Sequence, residues 1–269
     1  MRKHKTRSHL LSVVIPACKQ EKTIIDDLRQ IKNVLDKSRY DYEIVVVVDG
    51  MQDKTFENAK KVASKKIKVV GYKKNHGKGY AVRFGMARTK GDIVAFIDAG
   101  MDLDPNGLSM LLEHFEWYDA DIIIGSKRHP VSQVSYPWQR KILSLGYQIL
   151  VRILFGLNVR DTQVGMKFFK RKVLEDVLPR LLVKKYAVDI EMLAVAHRLG
   201  YKRIYEAPVR LEWRGEGSVL KGSLWRTIYG MLWDTAAVFY RLKILHYYDN
   251  ANKRRWRYDK DLDFRVNVG

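Results

Sequence analysis

The segment Glu43-Ile44-Val45-Val46-Val47-Val48 is almost wholly β-branched and closes on Asp49-Gly50. A run with no polar alternation suits a strand covered on both faces. Four more short apolar runs resemble it, at Leu10–Ile15, Lys68–Tyr72, Ile93–Ile97 and Asp121–Gly125. Between these runs the sequence reads as helix over Thr23–Leu35, Asp53–Lys65, Lys78–Arg88 and Pro105–Tyr118. In the first of these, Ile24, Leu28, Ile31 and Leu35 recur at helical spacing. Strand and helix patterns in alternation predict an α/β fold, with a mostly parallel sheet and helices on both faces.

The pattern changes after residue 125. Trp138–Phe155 reads as a helix with Arg140, Ser144, Gln148 and Arg152 every fourth residue. Gln163–Lys170 and Ala207–Trp213 read as strands, and Asp189–Leu199 as a helix. Leu224–Tyr248 reads as one long amphipathic helix rich in Trp and Tyr. The expected organisation is a basic arm over 1–9, an α/β domain over 10–220, the amphipathic helix within 221–249 and a charged, loosely ordered tail over 250–269.

Fifty Lys and Arg against 30 Asp and Glu give a formal net charge of +20. That charge implies a polyanionic partner, which leaves nucleic acid, an anionic membrane surface or a phosphorylated substrate. The single cysteine, Cys18, excludes an intrachain disulfide, and the seven histidines show no metal-ligand spacing. No signal peptide is visible, and no apolar run reaches the roughly 18–20 residues of a membrane-spanning helix. The chain therefore reads as soluble or peripheral, and intracellular. Trp225, Tyr229, Trp233, Tyr240, Tyr247 and Tyr248 are residue types enriched at membrane interfaces, and Arg226, Arg241 and Lys243 suit lipid phosphates. The competing reading packs each long helix against the sheet.

Chemistry gathers at strand ends. Ile93–Ile97 runs directly into Asp98, Asp102 and Asp104, and Pro105 follows. Open α/β sheets bind ligands at the carboxyl ends of their strands. Oxygen donors there suit a hard divalent cation, and such a cation suits a diphosphate. The plainer reading is a solvated acidic loop that caps the next helix. Asp49 ends another strand, where a carboxylate can accept hydrogen bonds from ribose hydroxyls or a base N–H. Gly77 and Gly79 flank Lys78 at a predicted helix start, an arrangement that suits a phosphate.

Taken in order, these motifs resemble the family 2 glycosyltransferases of the GT-A (Rossmann-like) fold, over about residues 10–215. Within that family they are most similar to the polyprenyl-phosphate (dolichyl-phosphate) mannosyl- and glucosyltransferases. Val13-Val14-Ile15-Pro16-Ala17 resembles the opening strand and nucleotide-binding turn, with Cys18-Lys19-Gln20 where Tyr-Asn-Glu is usual. Val48 stands where the first of two adjacent acids is usual, leaving Asp49 as the nucleoside ligand. The resemblance implies nucleotide contacts from Pro16, Ala17, Gln20, Val47, Asp49, Lys78, Asp98 and Ala99. Asp98-Ala99-Gly100 falls on the Asp-any-Asp signature, with Gly100 in place of the second acid. The implied Mg²⁺ or Mn²⁺ then falls to Asp98 and Asp102. Lys127, Arg128, Arg140 and Arg214 are implied to hold an acceptor phosphate. Asp161-Thr162-Gln163-Val164-Gly165-Met166-Lys167-Phe168-Phe169 and Tyr186–Glu191 resemble the motifs near the sugar and acceptor. They add Asp161, Gln163, Asp189 and Glu191 to Asp98 as catalytic candidates. Residues two apart on a helix do not share a face. One of Asp189 and Glu191 is therefore expected to face the site while the other caps or pairs.

The activity implied is inverting transfer of a hexose from GDP-mannose or UDP-glucose to a polyprenyl or dolichyl monophosphate at the cytoplasmic membrane face. A phosphate acceptor is already ionised near neutral pH and needs no strong base. A hydroxyl acceptor would need one, from Asp161, Asp189 or Glu191. The alternatives are a soluble family 2 enzyme acting on a hydroxyl, an inactive relative marked by Gln20, Val48 and Gly100, and a basic nucleic-acid-binding protein. The last lacks a basic-aromatic RNA-binding signature and leaves the ordered motifs unexplained, so nucleic acid is not the expected partner.

Overall fold

The structure is a computed structural model that describes residues 9–135, 138–212, 224–252, 256–260, 262 and 264–267. Along the chain run β1 (Leu10–Ala17), α1 (Ile24–Asp36), β2 (Asp41–Asp49), α2 (Thr55–Lys60), β3 (Ile67–Tyr72), α3 (Lys78–Met86), β4 (Ile93–Ile97) and α4 (Gly107–Trp117). There follow β5 (Ile122–Ser126), β6 (Gln133–Ser135), α5 (Trp138–Phe155), β7 (Met166–Lys170), α6 (Arg171–Val177), α7 (Val188–Arg198), β8 (Ile204–Pro208), β9 (Arg210–Glu212) and α8 (Leu224–Phe239). The chain closes with β10 (Trp256–Asp259) and β11 (Phe264–Asn267).

Seven strands form one sheet in the order β3-β2-β1-β4-β7-β5-β8. All neighbours are parallel except β7, which runs antiparallel to both β4 and β5. Alternate residues of the β-branched runs serve opposite faces. Val45 and Val47 of β2 join Val14, Val94 and Phe96 in one buried cluster with α3 and α7. Ile44 and Val46 join Val13, Ile15 and Ala95 in the other, with Leu28 and Ile31 of α1 and Leu108 and Leu111 of α4. Burial on both faces is what the unbroken apolar runs require.

The strand order reverses between β1 and β4. From β1 the chain steps outward to β2 and β3, then returns to place β4 on β1's other side. Such a switch point opens a crevice at the strands' carboxyl ends. Pairing of β1 with β4 stops at Val14–Phe96, while β1 continues beside β2 as far as Ala17. Pro16, which lacks an N–H, thus falls where β1 has lost one neighbour.

Several expected boundaries move for local reasons. α2 starts at Thr55, whose N–H donates to the Asp53 carboxylate at 3.0 Å in the turn before the helix. β7 begins only at Met166, since Asp161–Gly165 is turn, with the Gln163 N–H donating to Asp161 at 3.1 Å. The stretch expected as one strand over Ala207–Trp213 divides. β8 ends at Pro208 on the sheet edge, and β9 pairs with β6. α8 stops at Phe239, and a π-helical turn over Tyr240–Ile244 leads to His246 at φ 47°. Tyr247 and Tyr248 follow that turn and are buried, which for these two residues favours core packing over the interfacial reading. The tail is not loosely ordered throughout, because β10 and β11 pair as an antiparallel hairpin. Among the described residues no helix is long and apolar enough to cross a membrane.

Candidate functional site

Four charges alternate from the carboxyl end of β4 into the core. Asp98 follows β4 directly, and its Oδ2 accepts a hydrogen bond from Lys78 Nζ at 2.8 Å. Lys78 is the first residue of α3 and also reaches Asp189 Oδ2 at 3.4 Å. Asp189, in the first turn of α7, accepts Lys167 Nζ on its other oxygen at 2.5 Å. Lys167 sits mid-strand in β7, opposite Phe96, and donates as well to the Val164 carbonyl at 2.6 Å. A lysine in a central strand has no route to water and must be paired where it stands.

Burial sets the electrostatics. It works against the Lys78 ammonium, but Asp189 and Asp98 outweigh it and hold Lys78 above the ordinary lysine value. Burial pulls Lys167 below its ordinary value, with Asp189 opposing. Burial also favours neutral Asp189, yet Lys167 and Lys78 prevail and keep it below the usual carboxylate range. The Asp98 side chain stands apart at 40% exposed, against 2% for Asp189. Asp98 is thus the carboxylate of this row that can meet a ligand.

Two close approaches fix these charges. The Asp98 N–H donates to the Gly165 carbonyl at 2.9 Å, and the carboxylate lies flat on Gly165. A Cβ on Gly165 would stand 1.8 Å from Asp98 Oδ2. Gly77, at φ 99°, brings the α3 turn so near the 183–185 segment that a Cβ would stand 2.5 Å from the Lys184 carbonyl. Asp49 closes the same turn from the sheet side, its two oxygens accepting the His76 and Gly77 N–H groups at 2.8 and 2.9 Å. Asp27 of α1 was not anticipated. It accepts the Gly100 N–H at 3.0 Å and so ties the loop after β4 to that helix.

The remaining candidates divide. Pro16 and Gln20 are half-buried beyond the last β1–β4 pair, with the Gln20 amide 3.6–3.9 Å from where a Cβ on Gly100 would stand, whereas the Ala17 side chain is buried in the core. Ala99 lies partly exposed beside Asp98. Val47 does not face the crevice; its side chain is wholly buried in the core against Gly85. Asp161 is 2% exposed and spends its carboxylate on the Lys127 and Gln163 N–H groups, both at 3.1 Å. Gln163 Nε2 is buried and has no hydrogen-bond partner among the described residues, which leaves it a donor to spare. Lys127 Nζ lies 3.7 Å from Asp161, and Arg128 donates to Ser144 of α5 at 3.1 Å. Arg140 lies on α5, and Arg214 lies outside the described residues. Glu191 is corrected as a catalytic candidate. It is fully buried, with its carboxylate on the Leu182 and Val183 N–H groups and the Tyr248 hydroxyl.

The donor set for a divalent cation is small. Among the described residues no three His, Cys, Asp or Glu gather as a ligand group. Asp102 lies four residues beyond Asp98, half-buried, and Asp104 is occupied in accepting the Asn106 N–H at 2.9 Å. Mg²⁺ is often held by one or two carboxylates together with substrate phosphates. The half-exposed Asp98 fits a cation shared with a diphosphate in that way, and the residues present do not make a cage of their own.

Comparison with known proteins identifies the family. The Glycosyl transferase family 2 profile matches residues 12–178. Dolichyl-phosphate beta-glucosyltransferase of Drosophila melanogaster is 33% identical over 205 residues, covering 70% of this chain and 63% of that protein. Its Dictyostelium discoideum counterpart is 30% identical over 218 residues, covering 76% and 66%. The chain thus spans slightly less than two thirds of the length of these relatives. Glucosyl-3-phosphoglycerate synthase from Mycobacterium tuberculosis, solved in complex with UDP, superposes with a TM-score of 0.64 at 21% identity, over 85% of this chain and 80% of that one. That likeness shows a shared fold. With the profile covering most of the sheet and the two strand-end acids Asp49 and Asp98, the chain belongs to glycosyl transferase family 2.

Proposed function

We propose that this chain transfers a hexose from a nucleotide sugar to a polyprenyl monophosphate, inverting the anomeric carbon, at the cytoplasmic face of a membrane. The observation that carries the reading is the row Asp98–Lys78–Asp189–Lys167, which starts at the carboxyl end of β4. It places an ammonium that suits the donor phosphates beside a ligand-accessible carboxylate that suits a cation shared with them. The shared name of the relatives favours glucose, and the UDP complex of the structural neighbour favours uridine. GDP-mannose is the competing donor.

The residues divide the work by position. The nucleoside end of the donor lies along Pro16, Ala17 and Gln20, with Asp49 holding the turn beneath it. Lys78 meets the phosphates, Asp189 keeps it oriented and charged, and Lys167 holds Asp189 in place. Asp98, with Asp102 to assist, would hold a Mg²⁺ or Mn²⁺ shared with the donor. Such a cation supplies Lewis-acid relief of charge on the departing diphosphate. Gln163 has an amide donor available for a sugar hydroxyl. Lys127, Arg128, Arg140 and Arg214 are the cations offered to the acceptor phosphate.

Burial bears on the acceptor. A hydroxyl would have to surrender its proton to Asp161, Asp189 or Glu191. All three carboxylates are no more than 2% exposed and already hold backbone N–H, ammonium or hydroxyl donors. An acceptor that arrives ionised needs none of them. Catalysis then rests on positioning and preorganised charge.

Exposed apolar side chains support a membrane setting. Leu145, Ile149 and Ile153 recur every fourth residue along α5, with Ile153 75% exposed. On α8, Tyr229 stacks on Trp233, and both are open to solvent. The two helices touch through a 2.7 Å hydrogen bond between the Tyr147 and Thr235 hydroxyls. Exposed Arg152, Arg226 and Lys243 accompany this surface. An apolar, aromatic face with basic neighbours on a chain of charge +20 suits an anionic bilayer surface.

The test is a transfer assay. Purified protein is given UDP-glucose or GDP-mannose with Mg²⁺ or Mn²⁺, with and without polyprenyl phosphate in detergent. Lipid-dependent release of one nucleoside diphosphate is expected. Transfer to a soluble hydroxyl acceptor at equal rate without lipid would overturn the acceptor assignment.

A further inference from the structure

The match to the family profile ends at residue 178, yet the turn that carries Lys78 rests on residues beyond it. The Tyr80 N–H, one of the donors that the first turn of α3 cannot satisfy internally, donates to the Lys184 carbonyl at 3.1 Å. A Cβ on Gly79 would stand 2.7 Å from the Val183 carbonyl. The backbone at 183–184 therefore sets where the Lys78 turn sits.

Glu191 fixes that backbone. One carboxylate accepts the Leu182 N–H at 3.0 and 3.1 Å and the Val183 N–H at 2.9 Å. It also accepts the Tyr248 hydroxyl at 2.7 Å, and both side chains are wholly buried. Tyr248 is itself clamped. Arg180 donates to its carbonyl at 3.1 Å, and Arg198 grips neighbouring Asp249 with two hydrogen bonds of 2.7 and 2.6 Å. A continuous line of contacts thus runs from the segment after α8, through Tyr248 and Glu191, to the 182–184 backbone and the Lys78 turn.

We propose that Glu191 and Tyr248 form a buried latch through which the C-terminal segment positions Lys78 for the donor phosphates. Glu191 is a positioning residue in this arrangement, and the inference rests on the reading of Lys78 as a donor-phosphate ligand. The latch needs an acceptor for two N–H groups and a partner for one hydroxyl. It does not need a base. Glutamine comes nearest to that need: its carbonyl oxygen, in the place of Oε2, keeps the Leu182 and Val183 N–H groups, and its amide, in the place of Oε1, donates to the Tyr248 oxygen once the hydroxyl proton turns away. Phenylalanine at 248 removes the hydroxyl alone and leaves the ring's packing.

The test compares the 269-residue wild-type chain with Glu191→Gln and Tyr248→Phe. One readout is amide hydrogen exchange over 77–84 without donor; the other is steady-state kinetics with UDP-glucose and GDP-mannose. Tyr248→Phe is expected to speed exchange of the Tyr80 amide and raise donor KM by about tenfold, the scale of one lost hydrogen bond, with kcat nearly unchanged. Glu191→Gln is expected to keep kcat within about threefold of wild type, as the conservative replacement of a positioning group. Unaltered Tyr80 exchange and unaltered KM in folded Tyr248→Phe would overturn the latch. So would a Glu191→Gln protein that keeps its KM and loses kcat by about a thousandfold, the signature of a lost base. If exchange responds as expected while no sugar nucleotide binds the wild type, the latch stands and the donor reading falls.

Discussion

Gly165→Ala tests the geometry of the crevice without touching a charge. The added Cβ would lie 1.8 Å from Asp98 Oδ2 and 2.2 Å from its Cγ. Nonbonded heavy atoms rest at about 3.5 Å, so the carboxylate must retreat by roughly 1.7 Å or swing to another rotamer. Either motion breaks the 2.8 Å bond to Lys78, because hydrogen bonds do not survive such stretching. The 2.9 Å bond from the Asp98 N–H to the Gly165 carbonyl limits escape through the backbone. Overpacking of this kind costs about 1–3 kcal/mol in stability, which a chain of this size should survive folded. Misplacing a reacting group by about 1 Å costs roughly a hundredfold in rate. The expected result is a folded protein, melting several degrees lower, whose nucleotide-sugar turnover falls about a hundredfold. Thermal melting and a coupled assay for released nucleoside diphosphate measure the two quantities. Wild-type turnover in folded Gly165→Ala would refute the role given to the Asp98–Lys78 contact.

Other consequences follow from the same charges and surfaces. Asp189→Asn leaves Lys167 buried without its carboxylate and should cost about 3–5 kcal/mol in a denaturant melt at neutral pH. Asp189 is held below the usual carboxylate range, so the folded protein binds fewer protons there than the unfolded chain. Its contribution stands above the unfolded carboxyl value of about 3.9 and is lost as pH falls through the folded pKa. The stability gap between wild type and Asp189→Asn should therefore narrow on acidification, and a gap that widens would show the sign to be wrong. On the surface, the double variant Ile153→Ser/Trp233→Ser should lower partition onto anionic vesicles by about tenfold or more while leaving melting unchanged. Equal partition of variant and wild type would move the membrane contact elsewhere.

Much of the sheet was legible because covered strands carry their own signature. The β-branched runs at Leu10–Ile15, Glu43–Val48 and Ile93–Ile97 needed no partner to be recognised. The order of β7 was not legible, because an antiparallel strand between two parallel ones depends on a crossover that periodicity does not encode. Asp98 and Lys78 could be read from strand ends and flanking glycines. Lys167 could have been found from a lone lysine inside Met166-Lys167-Phe168-Phe169, where a core strand admits a charge only if it is paired. Gly165 and Asp27 gave no such sign, since their tasks are a close approach to Asp98 and a hydrogen bond to Gly100 across long stretches of chain. Residue type left Tyr248 open to an interfacial or a core place. The π-helical turn and the positive φ at His246 precede its burial, and amphipathic spacing announces neither.

The central claim is that the β1/β4 crevice binds the diphosphate of a nucleotide sugar through Lys78 and Asp98. Calorimetric titration of UDP-glucose and GDP-mannose, with and without Mg²⁺, into wild type and Asp98→Asn tests it most directly. The account predicts saturable binding of one donor to the wild type, strengthened by the cation. In Asp98→Asn, with the fold intact, it predicts loss of that strengthening and of turnover. Equal cation-dependent binding and near-normal turnover in Asp98→Asn would contradict it.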